Sequence, residues 1–223
     1  MKNNITYITY ATGEKYIEAS SRIFEETRGL FDSSIIYGRE DLDMDFYKKN
    51  SKVLDSKKGA GYWLWKPYLI LKTMEKISND DIVFYLDLGD QLYNSISNFI
   101  RETIAENSGF FLVSGNFINK DWTKQECFNL MESYGENYKE TNQLEAGCCA
   151  FQKSDNVISF LKEWLFFCSD YRVVSDDTSI ANDRHFIEHR YDQSILTNLA
   201  IKHNVKTVPI STVSNYITYN KYF

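Results

Sequence analysis

Residues 82–86 read Ile-Val-Phe-Tyr-Leu, apolar without a break, and lead directly into Asp87-Leu88-Gly89-Asp90. A strand with no polar alternation is buried on both faces, the situation of a central strand in a parallel α/β sheet. A carboxylate at the end of such a strand cannot be buried unpaired without large cost, so Asp87 is expected to open into a polar site. In open α/β sheets, ligands bind beyond the carboxyl ends of the strands.

Strand-like and helix-like segments alternate around this run. Ile5 to Tyr10 alternates apolar and hydroxyl residues and reads as a strand. A helical stripe over 16–24, a short strand over 34–37 and a helix over 41–50 follow. Pro67 suits the first turn of a helix, and Leu69, Ile70, Thr73, Met74 and Ile77 repeat behind it at helical spacing. Phe99, Ile100 and Ile104 mark a helix, and 110–114 a strand. Thr123 and Glu126 have capping-box spacing and predict a helix running toward Tyr134. Residues 148–152 read as a strand. Ser154 opens an amphipathic helix, residues 195–200 form a last helix and 205–210 a last strand. The polar stretch 169–188 reads as a lid or acceptor-side loop. The pattern predicts a mostly parallel sheet covered by helices on both faces, in one domain over 1–223.

Of 223 residues, 31 are acidic and 25 are Lys or Arg, a net charge of −6. This disfavours a nucleic-acid partner, whose phosphates need a basic surface. Cys127, Cys148, Cys149 and Cys168 lack zinc-site spacing and read as buried thiols in a reducing compartment. The start, Met1-Lys2-Asn3-Asn4 before Ile5, lacks the apolar run of a signal peptide, and no stretch is long and apolar enough to span a membrane. A cytoplasmic location is expected; peripheral membrane contact stays open.

Four segments could carry chemistry. Asp87 and Asp90 could hold Mg²⁺ or Mn²⁺, leaving positions for water and substrate phosphates; their plainer reading is a turn. In Gly59-Ala60-Gly61-Tyr62-Trp63-Leu64-Trp65-Lys66-Pro67, small residues admit a ligand to the backbone and the indoles of Trp63 and Trp65 offer flat faces. Lys66 stands beside a helix N-terminus, where a phosphate would be favoured. The plainer reading is core packing with a solvated lysine. In His189-Arg190-Tyr191-Asp192-Gln193-Ser194, the histidine could ligate a metal and the arginine could grip a diphosphate. Asp192 with Gln193 could face the reacting carbon; otherwise Asp192 or Ser194 simply caps the helix. In Gln143-Leu144-Glu145-Ala146-Gly147, read as a loop before a strand, Ala146 and Gly147 leave room for a ligand and Glu145 could act as general base.

Taken together, Gly59-Ala60-Gly61-Tyr62-Trp63-Leu64-Trp65-Lys66-Pro67-Tyr68, Tyr85-Leu86-Asp87-Leu88-Gly89 and His189-Arg190-Tyr191-Asp192-Gln193-Ser194 resemble small bacterial and viral glycosyltransferases of the GT-A fold. Such proteins are associated with capsule, lipopolysaccharide or other surface-glycan synthesis. The resemblance implies a Rossmann-like, mostly parallel sheet and a nucleotide-diphosphate sugar as donor. It also implies a divalent metal, Mn²⁺ or Mg²⁺, near Asp87, and transfer of a hexosyl or deoxyhexosyl group to a glycan hydroxyl. The metal motif usual in that fold is Asp-x-Asp, whereas position 89 is glycine here. Asp90 or His189 would then complete the metal site. The pair Asp192-Gln193 is similar to an acid and amide found near the donor sugar in related transferases.

On that reading Thr9, Tyr10 and Ala11 contact the nucleoside. Lys66 and Arg190 neutralise the departing diphosphate, and Asp192 or Glu145 takes the acceptor proton. Two alternatives are a two-carboxylate glycoside hydrolase and a non-catalytic nucleotide- or sugar-binding module. The transferase reading requires positions 66, 87 and 190 to meet around one pyrophosphate.

Overall fold

A computed structural model describes residues 3–93 and 96–218. Strands β1 (Ile5–Tyr10), β2 (Ser33–Tyr37) and β3 (Ile82–Leu86) lie where the hydrophobic pattern puts them. A two-residue strand β4 (Gln91–Leu92) precedes β5 (Phe110–Ile118) and β6 (Asn142–Gln152); β7 is Val208–Pro209 and β8 is Ile217–Thr218. The long helices are α1 (Glu14–Thr27), α2 (Trp65–Met74), α3 (Ile96–Glu106), α4 (Asp155–Ser169) and α5 (Tyr191–Lys202).

Six strands form one sheet in the order β2-β1-β3-β6-β5-β7, with β4 and β8 paired separately. The pairs β1–β2, β1–β3 and β5–β7 are parallel, while β6 runs antiparallel to both β3 and β5. The sheet is therefore mostly parallel, as expected, with one reversed strand that the sequence pattern does not announce. Every residue of β1 and β3 is buried. Val83 and Tyr85 face a core built with α2, α4 and α5, and Ile82, Phe84 and Leu86 face a second core with α1 and α3.

Some local expectations change. The segment 143–147 is not a loop: it belongs to β6. Thr123 does not cap a helix, because its hydroxyl donates to Asn119 Oδ1 at 2.6 Å, and the following helix is confined to Gln125–Leu130. Ser154 caps α4 as expected, accepting from the Val157 N–H. The polar stretch 169–188 contains a helical turn (Tyr171–Val174) and is tied down. The Lys124 ammonium donates to the carbonyls of Ser175 and Asp177, and the Ile187 N–H donates to the Asp121 carbonyl. None of its residues lines the main cavity described below.

The motif 59–63 has an unusual backbone. Gly59, Ala60, Gly61, Tyr62 and Trp63 all have positive φ, between 51° and 108°. This is a left-handed turn, costing about 1–2 kcal/mol for each residue with a side chain. Packing offsets the cost: Tyr62 and Trp63 both stack on Tyr191, ring centroids 5.3 Å apart, and Trp65 Nε1 donates to the Gly59 carbonyl at 2.9 Å. Gly61 is fixed twice, since its φ is +108° and an added Cβ would lie 2.7 Å from the Leu54 Cα. Gly61→Ala is expected to destabilise the fold by about 2 kcal/mol or more, read as a lower midpoint in urea unfolding.

Candidate functional site

A cavity of about 910 Å³ opens at the carboxyl ends of β1 and β3, where parallel strands present their ligand sites. Tyr10, Thr12 and Tyr16 line it from β1 and the start of α1, and Lys57, Gly59, Ala60, Trp63 and Trp65 from the left-handed turn and α2. Asp87 to Asp90 form its floor. Glu145 and Gly147 enter from β6, Asn116 and Phe117 from β5, Arg190 from the residue preceding α5 and Gln193 from its first turn.

Two register irregularities shape this end of the sheet. From Leu112 to Ser114, β5 advances two residues while β6 passes from Cys149 to Leu144, five residues. Residues 145–147 therefore bulge out of the ladder. From Ser114 to Ile118 the excess reverses, since β5 takes four steps while β6 takes two, and 115–117 bulge. Bulges re-aim side chains next to binding sites. Here they turn Glu145 and Phe117 into the cavity. Gly147 leaves room for the Asp87 carboxylate: a Cβ there would lie 2.5 Å from Asp87 Oδ2 and would make that side chain shift.

Asp87 is anchored from both β6 and β3. Its N–H donates to the Gly147 carbonyl at 2.9 Å, and the Tyr85 hydroxyl donates to its Oδ1. Burial, reinforced by the Asp87 charge, holds the Tyr85 phenol well above its usual range, so it stays a donor.

Lys66 is not in the cavity. It is 2 % exposed and its Nζ lies 2.9 Å from Asp192 Oδ2, itself buried. The pair sits one layer beneath the floor, with Lys66 Nζ 5.0 Å from the Tyr85 ring centroid. Burial works against the Lys66 charge, but Asp192 and Asp87 outweigh it and hold the ammonium above the usual lysine range. Burial pushes the Asp192 carboxyl up to about 6, against the pull of Lys66, and Asp87 adds to the rise. Neither Lys66 nor Asp192 lines the cavity. The expected diphosphate contact from position 66 and the expected base at position 192 are corrected accordingly. They form a buried ion pair that feels the Asp87 charge.

His189 is corrected as well. It is 2 % exposed; Nδ1 accepts from the Lys124 N–H at 3.4 Å and Nε2 faces the Val173 carbonyl at 3.0 Å. Both nitrogens are engaged with backbone, so His189 is not placed to share an ion with Asp87. Burial, with the Lys124 charge, lowers its pKa to about 3. The unfolded chain gains this proton near pH 6.5 and the folded protein does not, so the contribution of His189 to stability falls as pH drops from about 6.5 toward 3. The stability advantage of the wild type over His189→Gln should shrink by about 2 kcal/mol between pH 7.5 and pH 5, measured by denaturant titration.

Of the three residues expected around the nucleoside, only Tyr10 lines the cavity, stacked on Trp65 at a centroid distance of 4.0 Å. Thr9 and Ala11 are buried at 1 % and 6 % exposure, outside the lining. Ala146 also points into the core, and its N–H donates to Gln193 Oε1 at 3.4 Å. The Gln193 amide donates to Gln143 Oε1 at 2.9 Å, so Gln193 borders the cavity as a fixed side chain.

Arg190 lies over the Trp122 ring, 4.3 Å from its centroid. Its acidic neighbour Glu188 is 4.0 Å away and is itself bound to Lys58 at 2.9 Å. The sequence reading missed Lys57, Tyr16, Asn116 and Phe117. Lys57 adjoins the glycine motif and was within reach; Phe117 depends on a bulge, which has no signature in one chain.

Among the described residues no group of three or more His, Cys, Asp or Glu side chains could hold a metal ion. Asp87 and Asp90 both line the cavity, joined by a turn in which the Asp90 N–H faces the Asp87 carbonyl at 3.3 Å. Two carboxylates suit a hard divalent cation that takes its remaining ligands from water and phosphate. No described helix is long and apolar enough to cross a membrane.

No protein-family model and no curated protein matches the chain. Solved structures resemble it in fold. Mouse xyloside xylosyltransferase 1, in its apo form, aligns with 92 % of this chain and 71 % of its own at 12 % identity and a TM-score of 0.49. The galactosyltransferase LgtC, in complex with donor and acceptor sugar analogues, aligns with 86 % of this chain and 70 % of its own at 16 % identity and a TM-score of 0.40. The 4-diphosphocytidyl-2C-methyl-D-erythritol synthase of Anaerococcus prevotii aligns with 90 % of this chain and 96 % of its own at 12 % identity and a TM-score of 0.40.

Proposed function

We propose that the cavity binds a nucleotide-diphosphate sugar and transfers its sugar to an acceptor hydroxyl, as in GT-A glycosyltransferases of surface-glycan synthesis. The observation that carries this reading is the composition of one cavity. The carboxylates that follow the central strand share its lining with the aromatic rings of Tyr10, Trp63 and Trp65 and with two cations, Lys57 and Arg190.

The stacked pair Tyr10 and Trp65 receives the nucleoside. Asp87 and Asp90 would hold Mg²⁺ or Mn²⁺, whose charge assists departure of the diphosphate. Lys57 and Arg190 neutralise the same leaving group, Lys57 replacing the buried Lys66 in that role. Glu145 is the remaining candidate for the base that takes the acceptor proton in an inverting reaction. Gln193 borders the donor sugar. A glycoside hydrolase would leave Lys57 and Arg190 without a task.

The test is release of nucleoside diphosphate from a panel of hexose and deoxyhexose nucleotide sugars, with Mn²⁺, with Mg²⁺ and with chelator. Release that requires the ion supports the reading. Consumption of no donor under any condition, or cleavage of free oligosaccharides instead, defeats it.

A further inference from the structure

We infer that the β5 end of the cavity is the acceptor subsite, and that it takes a pyranose ring on the face of Phe117 with one hydroxyl turned toward Glu145. The inference rests on the transferase reading for its chemistry, but the binding it describes can be observed without turnover.

The order of strands carries the first part. Across the sheet, β1 contributes Tyr10, β3 contributes Asp87, β6 contributes Gly147 and Glu145, and β5 contributes Asn116 and Phe117. A donor with its nucleoside against Tyr10 and its diphosphate at Asp87 directs its anomeric carbon toward β6. The ground beyond β6 is then left for the second substrate.

That ground is built for a sugar. Phe110 to Val113 are at most 3 % exposed, whereas Phe117, on the same strand, is 36 % exposed and lines the cavity. The bulge at 115–117 puts it there. A large ring held at a cavity wall offers a flat apolar face, suited to the C–H face of a pyranose. The ring is braced from behind: Trp122 lies 4.9 Å away, tilted by 56°, and Arg190 covers Trp122. Asn116, exposed on the same bulge, offers an amide donor and acceptor for hydroxyl groups. Gly115 completes the arrangement. A Cβ there would fall 2.4 Å from Glu145 Oε1, so the absence of a side chain lets the carboxylate lie against β5 beside Phe117.

The bond changes balance. The acceptor oxygen forms a bond to the anomeric carbon as its proton passes to the Glu145 carboxylate. The bond from that carbon to the diphosphate oxygen breaks, and the diphosphate leaves with the electron pair.

The test uses the full chain with Mn²⁺ and UDP or GDP, and titrates methyl β-D-glucopyranoside, methyl β-D-galactopyranoside and methyl α-D-mannopyranoside by saturation-transfer NMR. At least one should bind. Phe117→Ala should weaken that binding by about fivefold or more, and Phe117→Tyr should preserve it. Phe117→Leu retains apolar bulk without a ring face and should behave as Phe117→Ala, which covers the case of an alanine variant that fails to fold. Binding of no methyl pyranoside, or equal binding by the ring-lacking variants, overturns the assignment. Donor consumption, measured separately, decides the transferase reading, so the two can fail independently.

Discussion

Asp87→Asn is expected to lower donor turnover by about 10²-fold or more while leaving the fold intact. The substitution keeps the shape of the side chain and removes its charge. The backbone bond from position 87 to the Gly147 carbonyl persists, and the amide oxygen can still accept from the Tyr85 hydroxyl. What disappears is half of the carboxylate pair facing the cavity, and with it the charge that would hold the divalent cation of the proposed reaction. The check is nucleoside diphosphate release at saturating donor, with the thermal midpoint measured in parallel. A stable variant with wild-type turnover would remove Asp87 from the reaction.

The buried pair beneath the floor gives the largest expected effect on stability. Lys66→Met leaves the Asp192 carboxylate, with 5 % of its side chain exposed, without its cation. Breaking such a pair from one side costs about 3–5 kcal/mol, because the remaining charge must be neutralised or carried unpaired. Asp192→Asn should also destabilise, by stranding the ammonium. The double variant Lys66→Met with Asp192→Leu should recover much of the loss, since apolar groups of similar size replace the whole pair. Urea unfolding of the four proteins gives the coupling energy directly. The pair also sets the field under Tyr85 and Asp87. A double variant that is stable but slow in donor turnover is therefore the expected signature of positioning, and full activity in it would confine the pair to folding.

The elements were largely legible where the hydrophobic pattern is strong. The apolar run ending at Leu86 locates β3, and Val157, Leu161 and Trp164 locate α4, because burial on one or both faces leaves a periodic record in the chain. The direction of β6 was not legible, since an apolar strand reads alike in parallel and antiparallel ladders. The full lengths of β5 and β6 are hidden for a related reason: their cavity ends bulge, and a bulge breaks the alternation that marks a strand. The motif at 59–63 stands out in the sequence for its small residues and aromatics. Its left-handed backbone was hidden, because Ala60, Tyr62 and Trp63 disfavour that conformation and adopt it only under the packing around Tyr191.

The candidate site divides in the same way. Asp87, Asp90, Glu145, Gly147, Arg190 and Gln193, all legible as candidates in the sequence, meet at one cavity. The single pyrophosphate site expected to join positions 66, 87 and 190 divides into two layers, with 87 and 190 at the cavity and 66 beneath it. Residue type and strand position alone determined that an α/β sheet would present acids at the end of β3, because a carboxylate following a buried strand has to emerge into a polar space. Only the tertiary structure decided which charges face that space and which neutralise each other below it. Exposure of a side chain depends on what packs against it from distant parts of the chain, as Asp192 does against Lys66, and linear spacing does not record that.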